Sequence, residues 1–334
     1  GSTLIRRLIK ENNLRIFNFD KRVDSSINFD SFEKTKYQYF GFNLNNVNEV
    51  NKAIKISAPE IIIHLAAESH VDRSIENPQN FIESNIVGTF NLLQSSTKFW
   101  QDLTIKKKSA FRFIHISTDE VFGSLGDKGT FNESSGYDPN SPYSASKASS
   151  DHLVRSWHKT YGLPTLITNC SNNYGPWQYP EKLIPNTILK ICSKEMIPIY
   201  GKGNNIRDWL YVKDHIEALL TIAENGETGN NYCIGGQNEK TNLQIVEKIC
   251  ELTNEIQEVD FDFKKLIQFV KDRPGHDFRY SVDISKMQRG LKWEPKRNFE
   301  ENLKITIAWY LNNLSWCKKI SEKSNFKGER LGII

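Results

Sequence analysis

The sequence predicts an α/β protein built on a doubly wound parallel sheet, with a smaller α/β lobe attached. Three observations carry that prediction. Short apolar runs alternate with amphipathic helical segments as far as about residue 170, the pattern of strand–helix–strand units. The runs Glu60–Leu65 and Phe111–Ile116 are continuously apolar at their centres, as strands covered on both faces require. After Asn169 the texture breaks into turn chemistry, Asn172-Asn173-Tyr174-Gly175-Pro176, with Pro180, Pro185 and Pro198 close behind. A more irregular unit begins there.

Taken in order, Leu4, Ile5, Leu8 and Ile9 give an amphipathic first helix, and Leu14–Phe19 a strand ending at Asp20. A helix followed by a strand with an acidic end is the second half of a mononucleotide-binding, Rossmann-type unit. The first strand and its Gly-x-x-Gly-x-x-Gly turn are expected ahead of it and are not in the sequence, so the sheet is expected to be N-terminally truncated. Gly1 is either the last glycine of that turn or, with Ser2, a cloning remnant. Val47–Ser57 reads as a helix punctuated by Pro59, and Glu60–Leu65 as the next strand. Pro78–Ser96 has helical spacing through Phe81, Ile82, Ile86, Phe90 and Leu93. Phe111–Ile116 is a strand, Pro142 opens a helix running to about Tyr161, and Pro164–Asn169 is a further strand. In the second part, helices are expected at Lys182–Ser193, Lys213–Asn225, Leu243–Thr253 and Phe299–Leu311, with strands at Ile197–Tyr200 and around Tyr232–Ile234. The expected division is residues 1–170 as a dinucleotide-binding domain and 171–317 mainly as a second lobe interleaved with the sheet. Residues 318–334 are polar and Lys-rich, and read as a loosely held tail.

Composition narrows the function classes. A chain of 334 residues with 38% apolar and 25% charged residues fits a soluble globular protein with a full core. No run approaches a membrane span. The first helical segment carries Arg6, Arg7, Lys10 and Glu11 inside its apolar pattern, which a signal peptide does not. The net charge is +4 with Lys and Arg scattered, apart from Lys106-Lys107-Lys108, so nucleic-acid binding is not indicated. The five cysteines are far apart with no C-x-x-C pair, which suggests reduced core thiols in a cytosolic protein. His64, His115 and His152 lack metal-ligand spacing and read as structural, so no metal is expected.

The chemistry concentrates between Phe111 and Lys147. Thr118-Asp119-Glu120 stands at the expected carboxyl end of a strand, where open α/β sheets place their ligands. Two carboxyls in different environments can hold different protonation states, one as acid and one as base. Tyr143 and Lys147 are one helical turn apart and share a face. A Lys ammonium beside a phenol stabilises the phenolate, which predicts a lowered Tyr143 pKa and a general base.

With these residues in place, the chain resembles the extended short-chain dehydrogenase/reductases that act on nucleotide sugars, and among them the 4,6-dehydratases. The resemblance rests on Thr118-Asp119-Glu120-Val121-Phe122-Gly123 with Tyr143-x-x-x-Lys147, on His64–Ser74, and on Asn169–Pro176. Glu181–Pro185, Arg207–Val212 and Asp272–Asp277 extend it over the second lobe. It implies an NAD-dependent lyase. Tyr143 takes the proton of the sugar C4 hydroxyl, Lys147 binds the nicotinamide ribose, and Thr118 bonds the C4 oxygen. Glu120 removes the C5 proton, and Asp119 protonates the departing C6 hydroxyl. The implied substrate is a nucleoside diphosphate-glucose, dTDP-linked in the first instance, and the product a 4-keto-6-deoxy sugar.

The resemblance also implies a binding set. Asp20 accepts from the adenosine ribose, which favours NAD over NADP, with Lys21 and Arg22 nearby blunting that preference. Asn43 and Leu44 lie near the adenine, where the family pattern has Asp in place of Asn43. Leu65, Ala66, Ala67, Ser69 and Ser84 line the NAD cleft, with Asn173 at the nicotinamide. Arg207 and Arg273 suit a diphosphate, because a guanidinium binds phosphate oxygens bidentately. Ser69, Thr118, Asn172, Lys182, Leu183, Pro198, Tyr200, Asn242, Asp272 and His276 surround the rest of the substrate. A homodimer through the helices at about Pro78–Ser96 and Pro142–Tyr161 is implied as well. The absent glycine turn, which would cradle the pyrophosphate, leads to the expectation of weak NAD binding and reduced stability for the chain as written. Two other readings stay open: a dehydratase or epimerase of a UDP- or other sugar nucleotide, and a non-catalytic binding protein on the same scaffold.

Overall fold

The structure, a computed structural model, describes residues 1–21, 35–296 and 298–323. Helix α1 (Ser2–Leu8) precedes strands β1 (Ile16–Asp20) and β2 (Tyr37–Gly41), which pair in parallel. Helix α2 (Val47–Ser57) leads to β3 (Ile61–His64). Helices α3 (Val71–Glu76) and α4 (Pro78–Phe81) then enter a π-helical turn, Ile82–Val87, that continues as α5 (Gly88–Gln101). After α6 (Ile105–Ala110) come β4 (Arg112–Thr118), a 3-10 turn at Asp119–Phe122, α7 (Pro142–Tyr161) and β5 (Thr165–Cys170). The remaining elements are β6 (Asn172–Tyr174), α8 (Leu183–Ser193), β7 (Ile197–Tyr200), β8 (Ile206–Tyr211), α9 (Val212–Asn225), β9 (Asn231–Ile234), β10 (Glu239–Thr241), α10 (Asn242–Gln257), β11 (Ile267–Val270), α11 (Ser285–Leu291), α12 (Phe299–Leu311) and α13 (Leu314–Lys323).

Strands β3, β4, β5 and β9 form a four-stranded parallel sheet in that order, while β1 and β2 form a ladder of their own. Successive side chains on a strand point to opposite faces, and the core follows that rule. Phe113 of β4 and Ile167 of β5 join Val50, Ile54, Leu92, Leu93 and Val154 from α2, α5 and α7. Their neighbours Ile114 and Leu166 join Ile216, Leu219 and Ile222 of α9 and Met287 of α11. Helices therefore cover both faces, as the continuous apolar strands require, and each fully buried Ile, Leu or Phe contributes about 1.5–3 kcal/mol. A second core packs α8, α10 and α12 around β7 and β8, through Ile188, Ile191, Ile199, Trp209, Ile249, Leu303 and Ile307.

Two expectations are corrected. The single helix expected over Pro78–Ser96 contains the π turn, which leaves Ile82 and Val87 exposed and buries Asn85. The tail expected from residue 318 begins inside α13, whose Cys317 and Ile320 are buried and whose Trp316 packs edge-on against Trp309 of α12. Apolar residues widely spaced in a polar stretch produced that misreading. Residues 324–334, and Arg22, lie outside the described residues. Among those described, no helix is long and apolar enough to cross a membrane.

Candidate active site

The site is assembled from strand ends. Thr118 is the last residue of β4, and the chain turns at once into the 3-10 segment carrying Asp119 and Glu120. That turn closes on Gly123 at φ +89, where an added Cβ would meet the Asp138 carbonyl oxygen at 2.5 Å. Helix α7 starts beside it. Pro142 occupies its first turn, and Ser141 and Ser144 cap each other's backbone reciprocally. Tyr143 thus falls in the first turn and Lys147 in the next, both buried.

The two carboxyls are inequivalent. Asp119 is 1% exposed, receives the Thr118 hydroxyl on Oδ1 at 3.2 Å, and has its Oδ2 buried without a hydrogen-bond partner among the described residues. Burial, then the charges of Glu120 and Asp208, hold its carboxyl well above the ordinary value, which favours the neutral acid. Glu120 is half-buried; its backbone N–H donates to Thr118 Oγ1 at 3.3 Å. Burial raises its carboxyl too, opposed by Arg273, Arg207 and Lys182. Tyr143 corrects an expectation. Burial first, then the Glu120 charge, push its hydroxyl well above the ordinary value, against a hydrogen bond with Thr118. That direction is opposite to the lowering expected from Lys147. The Lys147 Nζ is turned to the Ile116 carbonyl at 2.8 Å and lies 3.4 Å from His115 Nε2.

The residues expected to hold NAD follow the carboxyl ends of successive strands. Asp20 ends β1, Asn43 and Leu44 follow β2, and Leu65, Ala66 and Ala67 follow β3. Lys21 is paired with Glu68 at 2.6 Å, so its charge is neutralised beside Asp20. Asn43 Oδ1 accepts from the Asn45 N–H, and Leu44 packs against the α2–α5 core. Ser84 lies half-buried on the π turn. Asn173 is fixed by His215, whose Nδ1 is 2.7 Å from its Oδ1, and by donation to the Ser171 carbonyl. A carboxylate at one strand end, small residues at the next and a buried ammonium on α7 match the ribose hydroxyls and close backbone approach that a dinucleotide needs. Among the described residues, no group of three or more His, Cys, Asp or Glu could hold a metal ion.

The second lobe faces this ridge. Arg207 on β8 is 5% exposed, donates to the Ile206, Phe278 and Asp277 carbonyls, and stacks 4.3 Å over the Tyr280 ring. Arg273 donates from Nη1 to Asp72 Oδ1 at 2.8 Å, and its buried Nε has no hydrogen-bond partner among the described residues. Tyr200, at the end of β7, donates to the other Asp72 oxygen at 2.9 Å. Lys182 Nζ reaches the Ser69 carbonyl at 2.6 Å, and Leu183 opens α8. Asp272 accepts from the Arg273 N–H and sits 2.6 Å from His276 Nδ1; burial, then the Arg273 charge, lower that imidazole to about 4. Asn172 on β6 has a buried, unpartnered Oδ1 among the described residues; Pro198 lies within β7 and Asn242 opens α10. Sequence reasoning missed Asp72, Asn85 and His215 as organisers. Asn85 joins the Glu68 backbone to Ser146 on α7 with three hydrogen bonds. Asp72 lay within a motif stretch, but nothing local pairs it with Arg273.

A doubly wound sheet that gathers a hydroxyl, an acid–base carboxyl pair and a Tyr-x-x-x-Lys helix at its strand ends defines a short-chain dehydrogenase/reductase-type enzyme of the extended class. The sequence model of the family described as GDP-mannose 4,6 dehydratase matches residues 1–306, and the chain belongs to this family. It is 45% identical over 338 residues to the probable dTDP-glucose 4,6-dehydratase of Sinorhizobium fredii, covering 100% of this chain and 96% of that protein. Against dTDP-glucose 4,6-dehydratase 1 of Escherichia coli K12 the identity is 46% over 332 residues, covering 96% and 92%. The crystal structure of dTDP-glucose 4,6-dehydratase from Bacillus anthracis in complex with NAD superposes with a TM-score of 0.83 at 37% identity, covering 96% of each chain. The Streptomyces venezuelae dTDP-glucose 4,6-dehydratase, with NAD and a second ligand bound, gives 0.85 at 34%, again covering 96% of each chain.

Proposed function

We propose that the protein is an NAD-dependent lyase that converts dTDP-glucose to dTDP-4-keto-6-deoxyglucose. The observation that carries this reading is the Asp119–Glu120 pair, one carboxyl deeply buried and held as the acid, the other half-buried among Arg273, Arg207 and Lys182. Oxidation alone needs no such pair; elimination of water across C5 and C6 needs a base and an acid together. NAD, when bound, accepts the C4 hydride and returns it to C6. Tyr143 takes the C4 hydroxyl proton, and Thr118 holds that oxygen. The C4 ketone acidifies the C5 hydrogen, which Glu120 removes as a proton while Asp119 protonates the leaving C6 hydroxyl, and Glu120 gives the proton back to C5 as the hydride reaches C6. Lys147 binds the nicotinamide ribose, together with Asp20, Lys21, Asn43, Leu44, Leu65, Ala66, Ala67, Ser69, Ser84 and Asn173 along the cofactor. Arg207 and Arg273 neutralise the diphosphate, with Ser69, Asn172, Lys182, Leu183, Pro198, Tyr200, Asn242, Asp272 and His276 around sugar and base.

In this reading residues 1–170 carry NAD and 171–317 mainly carry the sugar nucleotide. The exposed Ile82, Val87 and Phe90 on the π turn and α5, with Tyr161 closing α7, support a homodimer through those helices. The five free cysteines, four of them buried, support a cytoplasmic enzyme. The test mixes the full chain and NAD with dTDP-glucose or UDP-glucose and follows the 4-keto product by its alkaline absorbance. Formation from dTDP-glucose is expected. A product that keeps its 6-hydroxyl overturns the dehydratase reading, and faster turnover of UDP-glucose overturns the choice of base.

A further inference from the structure

Lys147 carries its charge in a poor place for one. It is 4% exposed, and its Nζ is satisfied by a neutral carbonyl, Ile116 O. An ammonium so buried tends to shed its proton, and burial does lower the Lys147 pKa. One further turn along α7 stands Asp151, also fully buried, so Tyr143, Lys147 and Asp151 follow one another at i, i+4 and i+8 on one face.

The surroundings of Asp151 suit an anion. Its Oδ2 accepts from Ser117 Oγ and Tyr137 OH, each at 2.8 Å, and from Asn169 Nδ2 at 3.3 Å. Its Oδ1 lies 3.1 Å from His115 Nε2, the same nitrogen that lies 3.4 Å from Lys147 Nζ. His115 is neutral, because burial and then the Lys147 charge bring it down to about 4. Its Nε2 thus lies between the Lys147 ammonium and the Asp151 carboxylate, while its Nδ1 has no hydrogen-bond partner among the described residues. Burial alone would raise the Asp151 carboxyl, yet the close approach of His115, with Lys147 and Ser117, brings it below the ordinary value.

The groups facing this trio from every side are mostly uncharged. His64 on β3, its ring 5.3 Å from that of His115, is kept neutral by burial, then by His115 and Lys147. Cys170 on β5 is pushed up to about 12 by burial. Tyr137, with His152 and Arg155 on its outer side, is raised by burial and by Asp151. Asp119 favours its acid form, and Glu120 lies beyond Tyr143.

We propose that Asp151 is the buried counter-ion of Lys147, acting across His115, and a positioning residue that keeps the Lys147 ammonium charged where Tyr143 works. The role of Lys147 in catalysis rests on the dehydratase reading; the charge coupling does not, and a stability measurement reads it without turnover. In Asp151→Asn the folded-state pKa of Lys147 falls further below its unfolded value of about 10.4. Between those two values the unfolded chain binds the extra proton, so stability rises with pH. The Tm deficit of Asp151→Asn against the parent is therefore expected to be widest near pH 7 and to narrow towards pH 10. In a Lys147→Met background the deficit should be smaller and flat with pH. Equal deficits at every pH and in both backgrounds overturn the proposal and leave Asp151 a packing residue.

Should Asp151→Asn not fold, Lys147→Met alone decides. Without the ammonium the Asp151 carboxyl takes up a proton earlier on acidification. The Tm of Lys147→Met relative to the parent should then rise as pH falls through about 4, the ordinary carboxyl range, and a flat difference from about pH 6 to 3 overturns the coupling. With dTDP-glucose, the ratio of Asp151→Asn to parental kcat should fall by up to about tenfold per pH unit above the lowered Lys147 pKa. A constant ratio counts against the proposal. Absence of turnover in the parent counts against the dehydratase reading alone and leaves the melting experiment standing.

Discussion

Adjacent Asp119 and Glu120 differ by a single methylene, and their environments separate them further than their chemistry does. Asp119 has one oxygen on the Thr118 hydroxyl and one with no hydrogen-bond partner among the described residues; Glu120 looks towards cationic Arg207, Arg273 and Lys182. The sign of the pH effect follows. Because its folded-state pKa is raised, Asp119 contributes stability that is fully present below its unfolded value of about 3.9 and is lost as pH rises through the folded value. The Tm of Asp119→Asn should therefore gain on that of the parent as pH rises from about 4 to 8. Parallel melting curves across that range would remove the raised pKa from the account. The residue types were legible in Thr118-Asp119-Glu120, but their inequality was not, since burial and the approach of Asp208 and Arg207 come from distant segments.

The 3-10 turn is the element that aims both carboxyls, and Gly123 permits it. With φ at +89 and the Asp138 carbonyl oxygen 2.5 Å from where a Cβ would stand, any side chain there is strained and obstructed. Gly123→Ala is expected to cost about 1–3 kcal/mol in urea unfolding. It should lower keto-sugar formation beyond what unfolding explains, because relief of the clash moves the turn. Parental stability and rate in that variant would show that the turn tolerates displacement. Helix α7 was legible from Pro142 and its spacing. The π turn was not, because Phe81, Ile82 and Ile86 read alike in either helix; the hydrogen bonds of Asn85 to Glu68 and Ser146 distinguish them.

At the scale of the molecule, the start of α3 ties the sheet to the second lobe. Asp72 takes Arg273 and Tyr200, Arg73 donates from Nε and Nη2 to Glu181 at 3.0 and 2.8 Å, and Lys182 reaches the Ser69 carbonyl. Asp72 and Arg273 are 201 residues apart in sequence, with side chains 7% and 16% exposed. Removing one partner of a buried pair strands the other charge. Asp72→Ala should therefore destabilise the protein by about 3 kcal/mol, near the lower end for such pairs because Arg273 retains some solvent. The KM for dTDP-glucose should rise as Arg273 loses its orientation. A variant with parental urea midpoint and KM would mean that the stitch holds nothing in place.

What the sequence determined by itself is what short-range pattern can carry: the α/β alternation, strands apolar on both faces, and a Tyr and Lys on one helical face. The Thr-Asp-Glu triplet at a strand end belongs with these, because period and spacing are properties of a few adjacent residues. Only the tertiary structure decided which carboxyl is the acid, why Tyr143 stands raised, and that Lys147 leans on His115 with Asp151 behind it. Desolvation and charge contact depend on which distant segments close over a group, and no local window of sequence contains that distance.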